Sequence, residues 1–342
     1  MKPESKAGLR VALLALAMAS LWIYRGAAGL HPEERNLWRT VRAAQAHLAA
    51  WRFPGGEGAN GEADPWRTGL VGLEWSPTTT TLGDLSAKRT ACDPLWAVQL
   101  GRWFDEAGLE PGDRVAILAS SSFPGLLIST LAAAESRHLE ILLGVSLGAS
   151  TWGANDPDHP WPAIEAELRR SGFIRARSAF YTLGGDAEGG GGLSPEGRAV
   201  LEASARESGV PLVVPAGLEE AVRLKWAALQ SFNPLLLVSI GGSHANLGPG
   251  PEVLDLPPGF ILPGHEAAAG NGVLGLWLDS GRPVIHLLDI KGLARQMGIP
   301  FDSPPMPWFG SKSGTWVALL GLALFFGVLA THRRWAWRDD RG

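Results

Sequence analysis

Cysteine is almost missing from this chain: Cys92 is the only one among 342 residues. A single thiol excludes a disulfide within the chain and any metal site built on clustered cysteines. Also missing are a phosphate-loop glycine–lysine motif, an H-E-x-x-H helix and a G-x-S-x-G turn. Nothing in the sequence therefore supports nucleotide-phosphate, zinc-protease or nucleophile-elbow chemistry. No repeat recurs at a fixed period. The glycine run 184–192 lacks the strand–turn–helix context of a dinucleotide fingerprint and reads as a mobile loop.

Positive charge is scarce in the body. Residues 1–30 and 308–342 hold 9 of the 30 Lys/Arg and 3 of the 34 Asp/Glu, leaving the body with 21 basic and 31 acidic residues, a net of −10. Such a body has no electrostatic footprint for nucleic acid. It cannot hold a polyanion by bulk attraction either, so an anionic ligand must be gripped locally.

What the chain does have is an apolar segment near each end. Val11–Tyr24 follows Lys2, Lys6 and Arg10; Gly314–Ala330 precedes His332, Arg333, Arg334 and Arg338. Positive flanks stay on the cytoplasmic side, so residues 1–10 and 331–342 read as cytoplasmic and the body as extracytoplasmic. The second segment has 17 uncharged residues and is flanked by Trp308, Trp316, Trp335 and Trp337. It reads as a transmembrane helix with interfacial aromatics. The first, with 14 residues, reads as an anchor, or as a signal segment cleaved near Ala17-Met18-Ala19. Residues 25–68 read as a membrane-proximal helix and loop, with Leu37, Val41, Ala44 and Leu48 at helical spacing.

Residues 69–307 alternate between apolar strand runs and helix patterns. Strands are predicted at 114–120, 139–146, 174–183, 212–214, 235–240 and 283–288. Helices are predicted at 94–107, 124–135, 161–171, 194–208, 218–230, 267–280 and 290–297. This alternation predicts α/β architecture: an open, doubly wound, mostly parallel, Rossmann-like sheet, with terminal transmembrane helices. Ligands of such sheets bind beyond the carboxyl ends of the strands.

Those ends carry Ser121-Ser122, Ser150-Thr151-Trp152 and Gly241-Gly242-Ser243. Small hydroxyl residues and free backbone N–H groups there suit a carboxylate or phosphate, and ordinary turn and capping chemistry explains the same clusters. Ser76, Thr78, Thr79 and Thr80 with Lys88 and Arg89 form a second polar group. They read either as carboxylate-binding through charge-assisted hydrogen bonds, or as an extended loop whose threonines cap a helix at 84–89. A hydrolytic arrangement is conceivable from Ser122 as nucleophile, His286 or His244 as base, and Asp289 or Asp186 as orienter. An α/β sheet of this size places several Ser, His and Asp residues at strand ends by chance, and that is the favoured reading. Asp156, Asp158 and His159 read first as a turn and helix start. No metal and no cofactor is expected.

The residues Gly72–Gly83 with Ala87-Lys-Arg-Thr90 resemble the signature region of the poly-γ-glutamate system protein family (PgsW type). Pro111–Val115, Ser122–Gly125, Gly148–Asp156, Leu193–Arg198 and Val284–Lys291 also resemble that family, so the similarity spans about residues 69–300. Asn155 and Lys291 lie within these motifs and join the candidate ligand-binding residues. The resemblance implies a membrane-anchored component of a poly-γ-glutamate synthesis or export system. Its implied partners are the membrane-bound ligase, that ligase's small membrane subunit, and the polymer itself. It assigns no catalytic residue. Two readings follow: a non-enzymatic subunit that guides the polymer or supports the synthase, or an extracytoplasmic hydrolase or transferase acting on it. A small-ligand receptor is a third.

Overall fold

The computed structural model describes residues 30–54, 61–264 and 270–307, with isolated positions 14, 18, 321 and 325. The chain divides into two units, Pro32–Pro305 and a second made of Met1–His31 with Met306–Gly342. The expected membrane spans, 11–24 and 314–330, belong to the second unit and, those isolated positions apart, lie outside the described residues. Among the described residues, no helix is long and apolar enough to cross a membrane.

The unit Pro32–Pro305 is an α/β fold around a mostly parallel sheet of seven strands. These are β2 (Arg114–Ser120), β3 (Glu140–Ser146), β5 (Phe180–Thr182), β8 (Leu212–Val213), β9 (Leu236–Ile240), β10 (Gly259–Ile261) and β11 (Val284–Leu287). Their order is β10-β11-β9-β2-β3-β5-β8. Every pair is parallel except β10 with β11. The sheet grows from β2 through β3, β5 and β8, then restarts on the other side of β2 with β9. The gap between β2 and β9 is thus a topological switch point.

The central strands are apolar without alternation because helices cover both faces. In β2, residues Val115–Ala119 are all buried. One face, presenting Ala116, Leu118, Leu237 and Val284, packs on α7 (Leu218–Phe232) and α9 (Val273–Asp279), with Trp277 fully buried between them. Elsewhere α3 (Leu95–Glu106) packs against α4 (Pro124–Ser136). Helix α1 (Pro32–Arg52), read from sequence as a segment ahead of the α/β domain, packs on α3, α4 and α5 (Trp161–Arg170). It belongs to the same unit, because Leu37, Val41, Ala44 and Leu48 bury their stripe there. The remaining helices are α2 (Leu85–Ala91), α6 (Pro195–Ser208), the single turn α8 (His244–Leu247) and α10 (Ile290–Met297).

Several sequence expectations shift. The strand expected over 174–183 shrinks to β5, because side-chain carboxylates take its backbone donors: Glu135 accepts from Arg175 and Ala176 N–H, each at 2.7 Å, and Glu165 accepts from Ser178 N–H at 2.8 Å. Of the helix expected over 267–280, the described residues form α9, with 270–272 outside it; residues 267–269 lie outside the described residues. The threonine run forms strand β1 (Thr79–Thr81), paired in parallel with β4 (Ala149–Ser150). The cap of α2 is the carboxylate of Asp84, accepting from Ala87 N–H at 2.7 Å, and not a threonine. The glycine run holds β6 (Gly184–Gly185) and β7 (Gly189–Gly191), pinned by a buried Glu188 rather than left as a loose loop.

Candidate functional site

Strand register builds the site. Ser120 at the end of β2 is paired with Ser146 at the end of β3, and Ser146 with Thr182 at the end of β5. A row of hydroxyls therefore lines the carboxyl edge of the sheet. Across the switch point, β9 ends in Gly241-Gly242-Ser243. Gly241 has φ +77°, the left-handed turn that glycine adopts without strain, and it seats against Ser120 and Phe123. Above these ends opens a cleft of about 540 Å³, walled by residues 80–84, by Ser122-Phe123, by Gly184–Asp186 and by Gly242–His244.

Lys88 reaches this cleft from α2. Its Nζ donates to the Ser122 carbonyl at 2.5 Å and to Ser150 Oγ at 2.7 Å, and lies 3.7 Å from the centre of the Phe123 ring. No carboxylate among the described residues forms a salt bridge with it; Asp84, nearby, caps α2. Burial pushes the Lys88 ammonium down to about 7, against the opposing pull of Cys92 and Asp84. Cys92 is itself held as a thiol, pushed up to about 12 by burial. The hydroxyls around Lys88 have protons to spare. Ser122 Oγ accepts from Ser120 Oγ at 2.9 Å and from Ser150 N–H at 2.9 Å. Its own O–H has no acceptor among the described residues. Ser150 Oγ accepts from Lys88 and likewise donates to nothing described.

Beneath the cleft lies a second lysine with the opposite arrangement. Lys225 Nζ is 3.1 Å from Glu188 Oε1, both buried, and Lys225 also donates to Ser243 Oγ at 2.8 Å and Asn246 Oδ1 at 3.1 Å. The Glu188 carboxylate further accepts from the hydroxyls of Ser146, Thr182 and Ser243. Burial alone would raise this carboxyl, but Lys225 and the three hydroxyls outweigh it and hold it down at about 2. The pair is a fully satisfied clamp that ties the glycine-rich segment to three strand ends. Sequence reasoning missed it; a lone Glu between Gly185 and Gly189 was the available signal.

The structure sorts the candidate residues into groups. Thr80, Lys88, Ser122, Ser150 and Gly242 line the cleft, as do Asp186 and His244. Ser76, Thr78, Thr79 and Asn155 do not, because they bond one another. Asn155 Nδ2 donates to Thr79 Oγ1 at 2.8 Å and to the Leu73 carbonyl at 2.9 Å, and Thr78 Oγ1 donates to the Asn155 carbonyl at 2.8 Å. This buried knot holds the arm that carries β1 and α2, and so positions Lys88. Ser121 is structural as well, donating to the Ser146 carbonyl at 2.9 Å. Trp152 adopts φ +65° and bonds Leu73 through its backbone at 2.8 Å. Arg89 donates to the Ala63 carbonyl at 2.8 Å and the Glu62 carbonyl at 2.7 Å, and Lys291 lies exposed with its ammonium 5.8 Å from the Phe301 ring centre. Neither faces the cleft. Asp156 is committed to Arg52 at 2.8 Å and His159 at 2.9 Å. Among the described residues no cluster of His, Cys, Asp or Glu has the form of a metal site.

The arrangement of Ser122, His286 and Asp289 is not joined by hydrogen bonds. His286 sits inside the sheet on β11, opposite Ser239 of β9, and its buried Nδ1 has no hydrogen-bond partner among the described residues. Burial pushes its imidazole down to about 4. Asp289 caps α10, accepting from Gly292 N–H at 3.0 Å. The alternative pair does meet: His244 Nδ1 is 2.9 Å from Asp186 Oδ1, at the exposed rim of the cleft. No hydrogen bond connects that pair to Ser122.

Comparison of the chain with family models, with characterised proteins and with solved structures gives no significant match.

Proposed function

We propose that this chain is a membrane-anchored component of a poly-γ-glutamate synthesis or export system, and that its body binds γ-linked glutamyl carboxylates in the strand-end cleft outside the membrane. One observation carries the reading: a buried lysine without a carboxylate partner faces the cleft beside two hydroxyls whose protons have no acceptor among the described residues. A charged group held in this way is costly unless something completes it. A carboxylate completes it, taking charge-assisted hydrogen bonds from Nζ and from the Ser122 and Ser150 hydroxyls. Each γ-linked unit carries one free α-carboxylate, so the polymer offers this group repeatedly. The acidic body accounts for why the grip is local.

The membrane-bound ligase and its small membrane subunit are the proposed partners, and both termini are proposed to face the cytoplasm. Family resemblance and the charge-flanked terminal segments support these two points. The motif around Gly72–Gly83, which carries much of that resemblance, is also the arm that positions Lys88.

The test is equilibrium binding of labelled poly-γ-glutamate to the full chain in detergent, with Lys88→Met and Ser122→Ala beside the wild type. The expected result is binding that weakens at least about tenfold in Lys88→Met, the size of one lost charge-assisted bond. Absence of binding by the wild type, or Lys88→Met binding as tightly as the wild type, defeats the proposal.

A further inference from the structure

Lys88 and Ser150 stand in a relationship that permits more than a carboxylate cradle. Their side-chain atoms are 2.7 Å apart, Ser150 lines the cleft, and nothing else described accepts the Ser150 hydroxyl proton. Ser150 is also rigidly held: its backbone N–H donates to Ser122 Oγ at 2.9 Å, its carbonyl accepts from Gly153 N–H at 3.0 Å, and it belongs to β4. The Ser122 hydroxyl, with its free proton, stands on the same wall.

We infer that Ser150 and Lys88 are a nucleophile–base pair for acyl transfer, acting on an amide or ester carbonyl that neighbours a carboxylate. This pair presupposes that the cleft is the γ-glutamyl site, and adds chemistry to binding there. The Ser150 hydroxyl proton passes to neutral Lys88 Nζ as Oγ bonds to the carbonyl carbon. The carbonyl oxygen gains charge and takes a hydrogen bond from the Ser122 hydroxyl. The bond to the leaving amine or alcohol then breaks, and the proton on Nζ goes to that leaving group. Water attacks the resulting ester through the same base and releases the acid and free Ser150. The sum is amide plus water giving acid plus amine, with no other reactant.

The electrostatics fit this cycle. Burial brings the Lys88 ammonium down to about 7, so near neutral pH a good part of it is free base. The charged group that acts on it near neutral pH is Asp84; Cys92 beside it is held as a thiol, and Asp186 and His244 lie across the cleft. A carboxylate resting directly on Nζ would restore the ammonium and silence the pair. Transfer therefore needs the carbonyl over Ser150 with its neighbouring carboxylate off Nζ, and a carboxylate bound in the cradle position inhibits it.

A fluorophosphonate probe tests this on the full chain in detergent, read by intact mass and peptide mapping. The expected result is one adduct on Ser150, absent in Ser150→Ala. Its rate rises with pH through about 7, as the free base forms. It falls at least about 100-fold in Lys88→Arg, which keeps the charge but cannot deprotonate. Thermal melts of both variants establish that they fold. An adduct on another serine, an unchanged rate in Lys88→Arg, or no adduct between about pH 6 and about pH 9 overturns the inference. Polymer binding measured on the same samples separates the two readings. Binding without an adduct removes the catalytic pair and leaves the cradle. An adduct without binding removes the polymer as ligand.

Discussion

The Lys225 ammonium lies 3.1 Å from the Glu188 carboxylate and both are buried, whereas Lys88, which lines the cleft, has no carboxylate salt-bridge partner among the described residues. Lys88 meets Ser122 and Ser150, and Lys225 meets Ser146 at the end of β3 and Ser243 beyond β9. One is fully compensated and so serves the fold. The other has hydroxyl and carbonyl partners and no carboxylate in contact among the described residues, and that difference separates scaffold from site.

Lys88 should weaken the unliganded fold. Its ordinary value is 10.5 and burial brings it to about 7. Between these values the unfolded chain binds more protons than the folded one, so stability rises with pH across that window. Below about 7 the full penalty is present. Lys88→Met should therefore be more stable than wild type by a few kcal/mol near pH 6, since each pH unit of that window contributes about 1.4 kcal/mol, with the advantage gone by about pH 10.5. Urea melts across this range check it; a wild type more stable than Lys88→Met at pH 6 contradicts the assignment.

Carboxylate binding should take up protons. A ligand that restores the ammonium raises the Lys88 value, so association near pH 8 draws a proton from the buffer. Titration calorimetry in buffers of different ionisation enthalpy measures this uptake. It should disappear in Lys88→Met.

Salt should help the polymer approach. The body carries a net of −10 while the polymer is a polyanion, so the long-range force is repulsive and is screened by ions. The association rate should rise as ionic strength goes from about 0.01 to 0.15 M, the opposite of what a basic polyanion binder shows. Stopped-flow fluorescence settles the sign.

Breaking the Glu188 clamp should cost far more than its place in a glycine run suggests. Glu188→Gln leaves Lys225 buried and uncompensated, and about 3–5 kcal/mol of destabilisation is expected. Glu188→Gln combined with Lys225→Met should recover part of that. Chemical denaturation of the three variants measures the coupling; additive losses would mean the pair does not act as one unit.

His286→Leu should be nearly silent. The ring is buried, neutral and without a partner at Nδ1 among the described residues, so an apolar side chain of similar size should change stability by no more than about 1 kcal/mol, in either direction. Probe labelling and polymer binding should be unchanged. A large loss of either would restore His286 to the working site.

The α/β architecture was legible in the chain before folding was considered. Continuous apolar runs such as Val115–Ala119 have only one stable environment, a sheet covered on both faces. The helix start at Ser194 and the helical stripe of Leu37, Val41, Ala44 and Leu48 were legible for the same reason: each is a local pattern set by backbone geometry, whereas Asp289 looks like a site residue in the chain and is a helix cap in the fold. Composition also restricted the ligand grip to a local one. Which hydroxyls and cations work together was not legible, and came from the folded arrangement. Ser76, Thr78, Thr79 and Asn155 look like a binding surface in the chain, yet they satisfy one another in a buried knot. Lys88 and Ser150 are 62 positions apart and meet because β1 pairs with β4 and swings α2 over the switch point. Glu188 and Lys225 are joined across the sheet edge by a register that no local spacing encodes. Burial, and the choice of which charge is compensated, are properties of contacts between distant segments, and these exist only once the chain has folded.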